Sequence, residues 1–335
     1  QLNKPTAISI VSASEAIDKA IDNFSSRVKL AKQNKIEGVT SGNAELDKLT
    51  NGFKGSKLYV IAGRPGMGKT SRALGYARAA ALNGDPVAVF TLEMPDYELA
   101  DKLIMAEFHE SVSVDLYLSG KSPDSDIEKI TSAAAMAKKL PIIIDPNPTV
   151  NIRYIKATSR KLKRTKKIKM IVIDYLQLVS SDDERSKVRE QEVAKISRSC
   201  KLMAKELDLP VLLLCQLNRN VEGRSNREPM LSDLRESGAI EQDADLVFLY
   251  YRPAYYGITS DENSGADLTD TLITIIAKHR GGALGKVFER HDKAMNRFTR
   301  YNPFEPIESA SNQFPDVRNM PVNNHYEVER NETPF

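Results

Sequence analysis

The chain has 335 residues, a net charge of +3, 41% hydrophobic residues and 28% charged residues, which is the composition of a soluble globular protein. Its longest apolar runs, such as 58–62 and 211–215, are strand-sized and exclude a membrane helix, which needs roughly 20 apolar residues. The two cysteines, Cys200 and Cys215, lack metal-ligand spacing, and without a secretory signal they favour a reducing cytoplasm.

Residues 1–36 contain an entry segment and one predicted amphipathic helix. Ser12 and Glu15 fit a capping box at its start. Apolar residues then recur at helical spacing, at Ile17, Ala20, Ile21, Phe24 and Val28. A single apolar stripe must be covered, so we expect this helix to dock either on its own domain or on a neighbouring subunit.

Residues 37–302 alternate predicted strands with predicted helices. Most of the strands are continuous apolar runs, which is typical of a parallel sheet covered by helices on both faces, and so of an α/β fold. The predicted strands are 58–62, 87–92, 142–144, 170–174, 211–216, 246–250 and 271–277, with 285–289 and 297–301 as a terminal hairpin. Residues 303–335 carry repeated Pro and Asn without periodicity, which predicts a flexible tail.

A phosphate-binding loop follows the first of these strands. Residues 63–70 fit the pattern G-x-x-x-x-G-K-T, in the required context of a strand before and a helix after. Backbone N–H groups of such a loop surround phosphate, Lys69 would reach the β- and γ-phosphates, and the Thr70 hydroxyl would bind Mg²⁺. The predicted cofactors are therefore ATP and Mg²⁺, held by Gly63, Arg64, Pro65, Gly66, Met67, Gly68, Lys69, Thr70 and Ser71.

Three further polar residues end separate apolar strands. Asp174 would face the ligand crevice as a second magnesium ligand, or would simply cap a turn. Glu93 would polarise the attacking water, or would cap the helix that begins near Pro95. Gln216 could sense the γ-phosphate. Together the three indicate a hydrolytic site better than any one of them does.

A basic run interrupts this otherwise balanced chain. Nine Lys or Arg residues and no acidic residue lie between Arg153 and Lys169. The run is consistent either with a solvated helix face or with a contact to a polyanion, and the sequence favours neither.

Six stretches of the chain form a recognisable series of motifs, at 63–70, 91–94, 171–178, 216–219, 232–245 and 277–280. In these motifs and in their order, the chain resembles the RecA-type motor domain of DnaB-type replicative DNA helicases. The block 232–245 separates that family from recombinases that share the same core. The expected fold is therefore a RecA-like P-loop NTPase core, with a mostly parallel central sheet flanked by helices.

The resemblance implies a role for each matched residue. Lys69 and Thr70 contact phosphate and magnesium, Glu93 is the general base, Asp174 is the second magnesium acid and Gln216 is the nucleotide sensor. Lys278 and Arg280 match a pair that reaches into the neighbouring subunit's ATP site, where Arg280 would be the arginine finger. A finger supplied by a neighbour requires an oligomer, and the family forms a ring of six.

The resemblance also implies a DNA-binding loop. Arg235, Glu236 and Gly238 match the loop that holds single-stranded DNA in the central channel, although Arg235 and Glu236 could instead form a local ion pair. We class Arg219, Arg224 and Arg227 as further DNA contacts. One departure from the family is Arg72, which stands where an apolar residue is commoner and would lie either near phosphate or at the surface.

The implied function is ATP-driven 5′→3′ translocation on single-stranded DNA, unwinding the duplex at a replication fork. The expected partners are single-stranded DNA, further copies of the chain in a hexameric ring, a helicase loader and a primase. The alternatives are a RecA-like recombinase, which would form open filaments, and an ATP-gated DNA-binding assembly module without turnover. Residues 1–36 resemble only the linker helix that follows the family's N-terminal domain.

Overall fold

The computed structural model describes residues 11–147, 151–174, 176, 189–293 and 295–304, with the side chains of 189, 190 and 235–237 excepted. The predicted tail lies outside the described residues from 305 onward. So does most of the matched stretch that follows Asp174.

A single nine-stranded sheet organises the domain, in the order β3-β2-β4-β5-β1-β6-β7-β8-β9. The six strands from β3 to β6 in this order run parallel, and β7, β8 and β9 continue the sheet antiparallel. The strands are β1 (Leu58–Gly63), β2 (Val87–Thr91), β3 (Ile142–Asp145), β4 (Met170–Asp174), β5 (Val211–Gln216), β6 (Leu246–Tyr251), β7 (Thr271–His279), β8 (Gly285–Asp292) and β9 (Arg297–Arg300). The predicted mostly parallel α/β sheet and its terminal hairpin are confirmed, although β8 extends three residues beyond its predicted end.

Helices cover both faces of the sheet. They are α1 (Ala13–Lys32), α2 (Ala44–Thr50), α3 (Lys69–Leu82), α4 (Asp96–Met105), α5 (Val114–Leu118), α6 (Asp124–Ala137), α7 (Ile152–Lys166), α8 (Arg189–Leu207) and α9 (Gly238–Asp243). Three short 3-10 helices span Arg219–Gly223, Leu231–Ser237 and Pro253–Tyr256. No helix in the described ranges is long and apolar enough to span a membrane.

The strands are continuously apolar because they contribute to a core on each side. In β1, Val60 packs into the core beneath α7, α8 and α9, whereas Tyr59 and Ile61 pack into the core beneath α3 and α4. Successive side chains of a strand point to opposite faces, so an apolar run fills two cores at once.

Helix α1 lies apart from these cores. Its capping box is confirmed, since the Ser12 hydroxyl accepts a hydrogen bond from the backbone N–H of Glu15 and the Glu15 carboxylate accepts one from that of Ser12. No residue of α1 is buried, and Ile21 and Phe24 are 59% and 60% exposed. Docking on the described part of its own domain, one of the two alternatives, is therefore wrong.

Candidate nucleotide-binding site

The phosphate-binding loop joins β1 to α3 as the sequence predicted. Gly66 and Gly68 have φ angles of +77° and +82°, in the left-handed region that glycine adopts without strain. No side chain caps the N-terminus of α3, and its first turn carries no acidic residue. The first N–H groups of this helix are therefore available to an anion, and the helix dipole favours one there.

The side chains of the loop mostly point away from this cradle. Arg64 is buried, donates to the backbone oxygen of Leu217 at 2.9 Å and forms an ion pair with Glu222. Met67 is buried in the core, Pro65 is exposed and Ser71 is half-buried at the start of α3. These residues therefore contribute backbone to a phosphate site, and we find no ligand role for the Arg64 guanidinium.

Lys69 lies over the loop beside two carboxylates. Its Nζ donates to the backbone oxygens of Gly63 at 2.9 Å and Arg64 at 3.2 Å. Burial lowers the pKa of Lys69, and the negative charges of Asp174 and Glu93 oppose that shift. A cation held here between acceptors and carboxylates can move onto an anion that enters the loop.

Asp174 ends β4 directly behind Lys69. The carboxyl is 3% exposed, and its Oδ2 has no hydrogen-bond partner among the described residues. Burial raises the pKa of Asp174 to about 6, while the Thr70 hydroxyl and the Lys69 charge act in the opposite direction. A buried carboxylate oxygen without a partner fits a metal ion that Thr70 and Asp174 would share with substrate phosphate, which is the kind of site Mg²⁺ prefers. Among the described residues no cluster of three or more His, Cys, Asp or Glu could hold a metal by itself.

Glu93 and Gln216 complete the carboxyl edge of the sheet. β2 and β4 pair Thr91 with Asp174, so Glu93 lies two residues beyond that pair, exposed, with a charge felt by Asp174. Helix α4 begins after Pro95 without a side-chain cap, so the helix-capping interpretation of Glu93 is wrong. Gln216 lies opposite Gly63 in the pairing of β5 with β1 and is exposed.

Lys278 and Arg280 lie at the opposite edge of the sheet. β7 runs antiparallel to β6, so its last residue, His279, pairs with Leu246, which in turn pairs with Tyr59 near the start of β1. The start of β1 lies on the order of 13 Å from Gly63 along the strand. The Lys278 ammonium donates to the backbone oxygen of Glu241, and the Arg280 guanidinium donates to that of Gln242. In this chain the pair is therefore not brought together with Lys69, Asp174 and Glu93.

Comparison with known proteins gives this arrangement a family. The model of the DnaB-like helicase C terminal domain matches residues 38–300. The chain belongs to this family. It is 40% identical over 264 residues to the replicative DNA helicase DnaB of Geobacillus stearothermophilus, which covers 78% of this chain and 56% of that protein. It is 39% identical, with the same coverage, to the replicative DNA helicase DnaC of Bacillus subtilis.

Solved structures agree with this family in fold. An ATPase domain superposes with a TM-score of 0.79 at 34% identity, over 88% of this chain and all of that one. A DnaB-like replicative helicase, described with its interactions with primase, superposes with a TM-score of 0.76 at 34% identity, over 89% of this chain and 69% of that one. The chain spans a little over half the length of the curated relatives named above.

The segment that we predict to hold single-stranded DNA forms a 3-10 helix, Leu231–Ser237, followed by α9, which begins at the exposed Gly238. The side chains of Arg235 and Glu236 lie outside the described part, so their predicted DNA contact and the alternative ion pair both stay predictions. Arg219 is exposed just beyond β5. Arg227 is half-buried, with its guanidinium 5.1 Å from the centre of the Tyr256 ring.

The side chain of Arg224 is engaged within its own part of the chain. Its guanidinium donates to both carboxylate oxygens of Asp233 and to the backbone oxygen of Glu228. Asp233 is 4% exposed and also accepts a hydrogen bond from the backbone N–H of Met230. Arg224 therefore holds the start of the matched block in place, and its assignment as a DNA contact stays a prediction.

Arg72 is neither near the phosphate site nor at the surface, so both predicted positions are wrong. It follows Thr70 by two residues, which is about 200° around a helix, so it points away from the loop and toward β8. Its guanidinium is 3% exposed, donates to the two carboxylate oxygens of Glu289 at 2.8 and 2.7 Å, and stacks on the Tyr76 ring at 4.0 Å. Glu289 also accepts from the side-chain amide of Asn43, so the pair joins three segments.

Three residues beside the loop escaped sequence analysis. Arg252 donates to the backbone oxygen of Gly66 at 3.1 Å, and the Tyr255 ring packs so closely on Gly66 that a Cβ there would lie 2.5 Å from it. His291 faces Gly68 and stacks on Phe298 at 4.2 Å, and burial lowers its pKa to about 4. No local pattern marks the first two. His291 continues the alternation of β8, whose predicted end fell short of it.

Proposed function

We propose that this chain is the motor of a ring-shaped replicative DNA helicase that hydrolyses ATP between subunits and translocates 5′→3′ on single-stranded DNA. The motor would span residues 37–302, preceded by a linker helix within residues 1–36 and followed by a tail at 303–335. The observation that carries the proposal is the division of the hydrolytic groups between the two edges of one sheet.

The carboxyl edge has the groups for binding phosphate and activating water. The N–H groups that open α3 and the ammonium of Lys69 would bind the phosphates of ATP. Thr70 and Asp174 would hold Mg²⁺, which neutralises phosphate charge when bound. Glu93 would accept the proton of the attacking water, because its exposed carboxylate lies beside Asp174 and makes no hydrogen bond or ion pair with a described residue. Gln216 would detect the terminal phosphate.

The amino edge has the groups that a neighbour's site would need. Lys278 and Arg280 are at the end of the sheet remote from their own phosphate loop, so they can complete a site only if another copy presents its carboxyl edge to them. A head-to-tail contact of this kind closes into a ring when the rotation between copies permits it. Arg280 would then stabilise the charge that develops on the transferring phosphoryl group.

The proposed DNA loop is tied to both edges. At its start, the backbone oxygen of Asp233 accepts from the N–H of Asn218, two residues beyond Gln216. At its end, the backbone oxygens of Glu241 and Gln242 accept from Lys278 and Arg280. A change of contacts at either edge, when nucleotide binds or is hydrolysed, would therefore act on the segment that carries Arg235, Glu236 and Gly238. Arg219 and Arg227 would be additional DNA contacts outside this segment.

The remaining parts of the proposal concern partners. The exposed apolar stripe of α1 suits docking on an adjacent subunit, which would stabilise the ring. A helicase loader and a primase are the expected partner proteins, and the solved DnaB-like helicase that matches this chain is described with a primase. The expected location is the cytoplasm of a bacterium or a phage-infected bacterium, since the curated relatives named above are bacterial.

A mixing experiment tests whether the two edges meet between copies. Glu93→Gln removes the proposed base and Arg280→Ala removes the proposed finger, so each variant alone should have little DNA-stimulated ATPase activity. In rings assembled from equal amounts of both, about a quarter of the interfaces pair an intact Glu93 with an intact Arg280. We expect ATPase activity to reappear on mixing, and native mass spectrometry to report mixed hexamers.

Two controls keep the outcome interpretable. Nucleotide binding by each variant is measured separately, and Glu98→Gln, an exposed change on α4, serves as the matched control for Glu93→Gln. Mixed hexamers that bind nucleotide but regain no activity would contradict the assignment of Arg280 to a neighbour's site. Full activity in a monomer would contradict the ring itself.

A further inference from the structure

Helix α7 presents a basic face that the proposed motor does not use. The exposed cations Lys161, Arg164, Lys166, Lys167 and Lys169 form no ion pair or hydrogen bond with any described residue through their side chains. They lie along the C-terminal half of α7 and the turn that leads into β4. The opposite face of the helix is buried through Ile152 and Ile155, so the helix is anchored by its apolar side and leaves its charges in solvent.

The acidic side chains that the structure describes near this face do not neutralise it. Helix α7 has no acidic residue of its own, and the adjacent carboxylate of Glu206 on α8 is already shared by Lys156 and Arg160. Those two cations lower the pKa of Glu206 to about 2. The single negative charge of Glu206 is therefore already exceeded by Lys156 and Arg160, and the five unpaired cations add further positive charge.

The fold gains little from concentrating these charges. Cations in the last turn of a helix interact favourably with its dipole, by about 0.3–1 kcal/mol each, but that effect ends within one turn. Arg160 and Arg164 are four residues apart and Lys161 and Arg164 are three apart, which are the spacings at which like charges destabilise a helix by about 0.2–0.5 kcal/mol per pair. A contribution to the stability of α7 therefore does not account for all the cations of the basic face.

We propose that the basic face of α7 binds the phosphate backbone of DNA as a second surface, separate from the phosphate loop and from the segment at 231–238. Arg160 and Arg164 are four residues apart on α7, so their Cβ atoms lie about 5–6 Å apart on one side of the helix. Lys167 follows at the C-cap of α7. Flexible cations such as Arg164 and Lys167, which pair with no described carboxylate, bind phosphates without reading bases.

The position of α7 favours DNA over other polyanions. α7, α8 and α9 cover the same face of the sheet and share one hydrophobic core, and α9 directly follows the proposed DNA loop. On α8, which contributes to the same core, the exposed side chain of Lys205 adds positive charge to this side of the domain, whereas Arg198 pairs with Asp243. A strand leaving that loop could thus continue along this face; this last step alone rests on the proposed function.

The test measures DNA binding without nucleotide, in an Arg235→Ala background that weakens the proposed loop contact. The variant Lys161→Glu/Arg164→Glu/Lys167→Glu is compared with a control of equal charge change, Lys48→Glu/Lys102→Glu/Lys121→Glu, whose residues lie away from α7. Fluorescence anisotropy with single-stranded and duplex DNA is recorded between about 50 and 200 mM salt. Log affinity falls as log salt rises, and the loss of three phosphate contacts should make this negative slope shallower by about 2–3. We expect at least roughly tenfold weaker binding at the lowest salt, and no such change in the control.

Other results would overturn the proposal. Equal affinities and slopes for the two charge-reversal triples would mean that α7 does not contact DNA. If Lys161→Gln/Arg164→Gln/Lys167→Gln binds DNA like the parent, the Glu triple acts by repulsion alone, and the proposal is wrong. A loss of binding to vesicles rich in phosphatidylserine, with DNA binding intact, would assign the face to a membrane. Thermal melts verify folding, and DNA-stimulated ATPase of the otherwise unaltered chain reports separately on the proposed motor.

Discussion

The two edges of the central sheet differ in how their polar groups are held. At the carboxyl edge, Lys69, Asp174 and Glu93 influence one another's charge, and one carboxylate oxygen of Asp174 is buried without a hydrogen-bond partner in the described structure. At the amino edge, Lys278 and Arg280 have only backbone oxygens of α9 as hydrogen-bond acceptors among the residues described.

Each edge therefore has groups for ATP hydrolysis that the other edge lacks. Among the described residues, the carboxyl edge has carboxylates and one lysine, and the arginines around its loop are engaged elsewhere: Arg64 and Arg72 form ion pairs, and Arg252 donates to the backbone oxygen of Gly66. The amino edge has a lysine and an arginine but no phosphate loop. Two copies in head-to-tail contact would combine the two sets, and a single copy cannot.

The largest expected effect comes from removing the amino-edge arginine. Arg280→Ala should lower the turnover number of DNA-stimulated ATP hydrolysis by about 10³–10⁵, because an arginine finger acts on charge that develops only in the transition state. Nucleotide affinity should change much less. Steady-state kinetics and nucleotide-binding titrations measure the two quantities.

The control for this change is Arg290→Ala, which removes an exposed arginine of β8 that pairs with Asp267. It should leave turnover within about twofold of the parent. If Arg280→Ala retained more than a tenth of the parental turnover, the amino edge would not supply the arginine that hydrolysis needs.

An intermediate effect is expected from the buried pair behind the phosphate loop. Arg72→Met should lower the free energy of unfolding by about 3–5 kcal/mol, because Glu289 would be left buried without its cation. The double variant Arg72→Met/Glu289→Leu should recover most of that loss, since apolar residues can replace a buried ion pair. Urea unfolding of the single and double variants measures both, and equal losses in the two would mean that the pair is not what Arg72 contributes.

The smallest effect concerns the cost of holding Asp174 ready for a metal. Its pKa in the folded chain, about 6, lies above the ordinary carboxyl value of 3.8, so the ionised carboxylate destabilises the fold progressively as the pH rises through 6. At pH 8 without Mg²⁺, Asp174→Asn should raise the free energy of unfolding by up to about 3 kcal/mol, and at pH 4 by little. ATPase activity should nevertheless be lost.

Thermal melts of the parent and of Asp174→Asn in a chelator, across this pH range, measure the difference. Asp145→Asn, at the carboxyl end of β3, is the matched control. A stability gain that is the same at pH 4 and pH 8 would show that desolvation of the charge is not its cause.

The sequence predicted much of the fold because the deciding patterns are local. Continuous apolar runs such as 170–174 and 211–216 coincide with β4 and β5, and the spacing of glycines around Lys69 required the loop conformation that Gly66 and Gly68 adopt. The apolar stripe of α1 was equally clear, but whether its own domain covers that stripe depended on the packing.

Residues whose surroundings the sequence did not predict have contacts that are remote in the chain or set by side-chain direction. Arg72 and Glu289 are separated by 217 positions, and no periodicity connects them. In the sequence Arg224 looks like a free cation in a polar stretch, yet both terminal nitrogens of its guanidinium donate hydrogen bonds to the carboxylate of Asp233. Glu93 could have capped α4 on spacing alone, and the backbone at Pro95 decided otherwise.

By itself, the sequence determined the phosphate loop, the strand-ending acids and the parallel sheet, since each depends on neighbours within one strand or one turn. Only the tertiary structure decided that Lys278 and Arg280 lie across the sheet from the phosphate loop, because that depends on the antiparallel register of β7 with β6. The same is true of the close approach of Tyr255 to Gly66 and of the unpaired charges on α7. Distances between segments follow from sheet order and helix packing, which no local pattern encodes.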